Sequence, residues 1–90
     1  MTSLFTTSAK VSNVTLSDLF IQQLVHNIFN GKYALTYTLN YTEMAFYGKG
    51  GRCFQKIGNK IYRIHTNKEL QMLINNISSM EVYFTINQLC

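Results

Sequence analysis

The chain has no proline, no tryptophan, two cysteines and four acidic residues among its 90. With no proline and only five glycines, collagen-like and low-complexity architectures are excluded. Cys53 and Cys90 have no partner at CxxC spacing and no His-x-x-x-His pair exists, so no metal site is read. Asn87 stands where a prenylation box would need its cysteine, so the last residue, Cys90, is not a lipidation site. No apolar run approaches the ~18–20 residues of a bilayer-spanning helix. The first residues lack the charged n-region and apolar h-region of a secretory signal. A cytoplasmic protein with two reduced thiols, no cofactor and no membrane partner is therefore expected.

The chain is 47% apolar and 13% aromatic, which argues for a packed core and against disorder. Ninety residues hold one core of useful size. Residues 1–13 read as a flexible or edge-strand leader and 14–90 as a single α+β domain.

Thr15, with Asp18 three residues on and Val14 placed to staple against Leu19, predicts a helix over about 16–29. Its stripe is Leu16, Leu19, Phe20, Leu24 and Ile28, widened by Ile21, Val25 and Phe29, and Asn30-Gly31 closes it. From Tyr33 to Tyr41 apolar residues alternate with small or polar ones, the period of a half-buried strand. Met44-Ala45-Phe46-Tyr47 reads as a second, shorter strand, and Gly48-Lys49-Gly50-Gly51 breaks the chain. Arg52–Ile57 and Lys60–His65 flank Gly58-Asn59, whose leading glycine suits a two-residue type II′ hairpin turn. That register pairs Cys53 with Ile64, Gln55 with Tyr62 and Ile57 with Lys60 on a core-facing side. The opposite side carries Arg52, Phe54 and Lys56 against His65, Arg63 and Ile61. Thr66-Asn67-Lys68-Glu69 is a capping box opening a second helix with Leu70, Leu73, Ile74 and Ile77 inward, ended by Ser78-Ser79. Alternation from Met80 to Asn87 makes a last strand. The expected order is α-β-β-β-β-α-β, a mainly antiparallel sheet with two helices packed on one face. This order approaches that of a double-stranded-RNA-binding domain. The lone Lys68 in place of a lysine-rich helix start, and the strand after that helix, set the chain apart.

No catalytic constellation emerges. Asp18 and Glu69 serve helix starts, and Glu43 and Glu81 read as solvated strand-end residues. His26 falls on a polar helix side. Cys53 and His65 point to opposite faces of the hairpin, which separates the one conceivable thiol–imidazole pair. The glycine-rich stretch around Lys49 is not followed by Ser or Thr and joins strands, so it is no P-loop.

Charge distribution stands out instead. Of eight Lys and Arg, five (Lys49, Arg52, Lys56, Lys60, Arg63) fall within one stretch of fifteen residues, in the acid-free interval between Glu43 and Glu69. Cations attract phosphates regardless of sequence, and an exposed aromatic such as Phe54 offers a base a stacking surface. Lys49, Arg52, Phe54, Lys56, Lys60, Arg63 and His65 are therefore the expected binding residues of a non-catalytic module for nucleic acid, a nucleoprotein or an acidic protein surface. The alternative is a protein-interaction or inhibitor domain, such as a small viral or phage host-targeting protein, anchored by Tyr83, Tyr47 or Phe54. An unpaired edge strand would offer a route to a homodimer.

Overall fold

Residues 8, 9, 17–80, 82 and 84–89 are described by a computed structural model. Helix α1 (Asp18–Phe29) begins after Ser17, whose hydroxyl accepts the Phe20 N–H at 3.2 Å. The observed cap is thus Ser17. The expected cap Thr15, with Val14 and Leu16, lies outside the described residues. Ser17 as cap puts the Asp18 carboxylate at the positive end of the helix dipole. The buried stripe is Ile21, Leu24, Val25 and Ile28. Leu19, expected inside, is 66% exposed. At 100° per residue it lies on the far side of the helix from that stripe. Asn30-Gly31 ends α1 as expected, by a Schellman arrangement. The Lys32 N–H bonds the Asn27 carbonyl at 2.9 Å, the Gly31 N–H bonds that of Ile28 at 3.0 Å, and Gly31 takes a φ of 72°.

Three tight turns then fold four consecutive strands into a meander: β2 (Tyr33–Leu39), β3 (Thr42–Lys49), β4 (Arg52–Ile57) and β5 (Lys60–Ile64). The first turn corrects the expectation of a strand running through Tyr41. Asn40 and Tyr41 both have positive φ, 51° and 63°, the pattern of a type I′ turn that reverses β2 onto β3. The sequence signal is weak because tyrosine rarely occupies that conformation. The second turn is Gly50-Gly51 alone, so Gly48 and Lys49 belong to β3, which is longer than its expected core of residues 44–47. The third is Gly58-Asn59, with positive φ at Gly58 only, and β4 and β5 pair in the expected register from Cys53↔Ile64 to Ile57↔Lys60.

Helix α2 (Asn67–Ser78) opens at Thr66, whose hydroxyl accepts the Glu69 N–H at 3.0 Å. The Glu69 carboxylate in turn accepts the His65 N–H at 2.9 Å, one residue before the cap. The chain crosses back to form β6 (Phe84–Gln88), shorter than expected, since Met80 and Val82 precede it in a turn. Glu81, Tyr83 and Cys90 lie outside the described residues. β6 inserts between β2 and a two-residue β1 (Ser8–Ala9), so the six-stranded antiparallel sheet has the order β1-β6-β2-β3-β4-β5.

The order helix, four strands, helix, strand is as expected, and both helices lie on one face. Leu35, Phe46, Cys53, Ile64 and Ile86 from the sheet join Ile21, Ile28, Leu70 and Ile74 from the helices in one core. Gln55, on this side, is accommodated by the Tyr37 hydroxyl at 3.5 Å. Among the described residues no helix is long and apolar enough to cross a membrane.

Candidate nucleic-acid interface

Strand alternation puts every second side chain of the meander on the sheet face away from the helices. None of the described residues on that face is buried. The molecule measures 34 × 33 × 21 Å, and the short dimension matches one sheet and one helix layer of about 10 Å each, so among the described residues no further layer covers this face.

The register arranges the open face in rows. Thr85, Thr36, Ala45, Lys56 and Ile61 line up across β6, β2, β3, β4 and β5. One step along, Tyr47 opposes Phe54, and Phe54 opposes Arg63. A further step brings Lys49 opposite Arg52 beside the Gly50-Gly51 turn. The Tyr47 and Phe54 rings lie 5.6 Å apart and tilted by 31°, within the centroid range of aromatic pairs. Lys49, Arg52, Lys56 and Arg63 surround that pair, all exposed.

Five of the seven expected residues thus share one surface. Lys60 does not: it pairs with Ile57 and lies on the helix side, at the exposed end of the last hairpin. His65 follows the end of β5, exposed, with its backbone engaged by Glu69 rather than in the β4 ladder. Tyr47 is the functional candidate that the charge argument missed. Counting outward from Gly50-Gly51 as a two-residue turn would have found it, since that register puts Tyr47 opposite Phe54.

The face is asymmetric. Its β4–β5 half carries the cations Arg52, Lys56 and Arg63, whereas its β2–β6 half carries Ala34, Thr36, Thr38, Thr85 and Asn87. Between them lies an open hollow of about 410 Å³, floored by Ala45 and rimmed by Thr36, Thr38, Thr85, Glu43 and Lys56.

Compared with protein-family models, curated proteins and solved structures, the chain matches none. Its chemistry must be read from its own geometry.

That geometry separates the thiol from this surface. Cys53 is completely buried on the helix side, and burial pushes its thiol up to about 11, so it is neutral near pH 7. Among the described residues no three His, Cys, Asp or Glu side chains come together. What the open face offers is attraction for anions and flat apolar surface for stacking.

Proposed function

We propose that the protein is a non-catalytic binding module whose open sheet face engages nucleic acid. The observation that carries this reading is the Tyr47–Phe54 ring pair on the open face, each ring half-buried rather than fully exposed as expected for Phe54, and surrounded by the exposed Lys49, Arg52, Lys56 and Arg63. Phosphates are attracted by the four cations, and bases gain stacking area on the rings. The same ring pair also stabilises the β3–β4 ladder as any cross-strand contact does. Binding measurements distinguish the two roles. Fluorescence anisotropy with labelled single- and double-stranded oligonucleotides should show binding at about 50 mM salt that weakens steeply by about 200 mM. Arg52→Ala, Lys56→Ala and Arg63→Ala together should abolish most of it. No binding at low salt refutes the proposal.

A second reading rests on the edge strand β5, which no described strand pairs on its outer side and whose Ile61 and Tyr62 are 58% and 48% exposed. Such an edge can accept a strand from a protein partner or from a second copy. It predicts association insensitive to salt and a retained complex in the triple variant.

A further inference from the structure

We infer that the hollow beside the ring pair is a seat for one unstacked base that bears an exocyclic amine, so that the partner is single-stranded. This inference rests on the proposed nucleic-acid reading and adds which form is bound and what is read. The cations concentrated on β4 and β5, with Lys49 beside them at the end of β3, define where a sugar–phosphate backbone runs. Its bases then project across β3 towards β2, where small side chains leave room and cationic ones would not. Ala45 and Tyr47 are alternate residues on β3, so hollow and ring platform are ~7 Å apart, the step between neighbouring unstacked bases.

The rim decides which base. Glu43, paired with Thr38 across β2–β3, is exposed and lines the hollow. A carboxylate accepts hydrogen bonds and donates none at neutral pH. It therefore favours the exocyclic amino groups of cytosine, adenine or guanine over the two carbonyls of thymine or uracil, which leave only the N3–H between them as donor. A negative charge within a phosphate-binding face weakens affinity for every sequence, and base choice is what it gives in return. A duplex offers no unstacked base to this seat.

The test compares oligo-deoxycytidine with oligo-deoxythymidine, each of about twelve nucleotides, by anisotropy with wild type, Glu43→Gln and Ala45→Leu. Wild type should prefer cytidine roughly fivefold, the low end for one good base contact. Glu43→Gln, whose amide both donates and accepts, should bring that ratio to about one while raising affinity for thymidine. Ala45→Leu fills the hollow on an uncovered face and should weaken both oligomers. If wild type binds both equally well, or Ala45→Leu binds as wild type does, the base seat is refuted and the charged platform stands. If neither oligomer binds, both readings fall.

Discussion

At Gly48, a methyl group has nowhere to go. An added Cβ would sit 2.0 Å from the Ile28 carbonyl oxygen and 2.9 Å from that of Phe29. Both are backbone atoms at the end of α1, so relief would require moving the helix off β3. Gly48→Ala should destabilise the fold by about 2–3 kcal/mol, on the order of 10 °C or more in a domain this small, measured by thermal denaturation. Its neighbour across the ladder, Cys53, sets a pH dependence. Burial first, with the Glu69 charge adding to it, holds the thiol at about 11 against an ordinary 9.0. Above pH 9 the unfolded chain loses this proton before the folded one does. Stability from this group is therefore full below the unfolded value and declines as pH rises towards 11. Urea unfolding at about pH 8 and 10.5 should show that fall, and Cys53→Ala should show a smaller one. The burial of Cys53 was legible from alternation within the hairpin. The need for glycine at position 48 was not, because the clash comes from a helix distant in sequence.

Among the elements, the turns account for most of the difference between pattern and fold. Gly58-Asn59 carried its register openly, since glycine at the first turn position marks the type II′ hairpin. Asn40-Tyr41 concealed another, because a tyrosine at a φ of 63° works against the backbone it adopts. Its side chain is fully exposed, so nothing in the fold packs against it. Tyr41→Gly should therefore raise stability by about 1 kcal/mol, the strain of a left-handed non-glycine residue. A melting temperature unchanged or lowered would show that the turn bears no such strain. Helix ends were clearer. Thr66 and Asn30-Gly31 act where their residue types act in general, while Ser17 displaced Thr15 because two adequate caps stand two residues apart.

For the molecule as a whole, the net charge of +4 matters less than its placement. A single sheet with both helices on one side leaves the other side without a described layer over it, and the meander brings Lys49, Arg52, Lys56 and Arg63 onto it within three adjacent strands. If these side chains contact separate phosphates, removing three of them lowers the slope of log affinity against log salt by about 2 for a single strand. The triple variant should keep its melting temperature within a few degrees, because all three side chains are exposed and contribute little packing. A loss of binding with an unchanged slope would mean that contacts other than phosphate neutralisation dominate.

Residue order alone determined the elements and the hairpin register, since apolar periodicity, caps and glycine turns are local signals. It thereby also placed Arg52, Phe54, Lys56 and Arg63 on one side of two strands. The apolar row opposite also put that side away from the helices, and the structure agrees: both helices bury their stripes against the other row of sheet residues. Only the tertiary structure decided what those side chains meet there. Tyr47 meets Phe54, and Glu43 reaches the rim of the hollow, through pairings made by two glycines and by a strained turn. Those pairings bring together side chains whose separation along the chain carries no periodic signal.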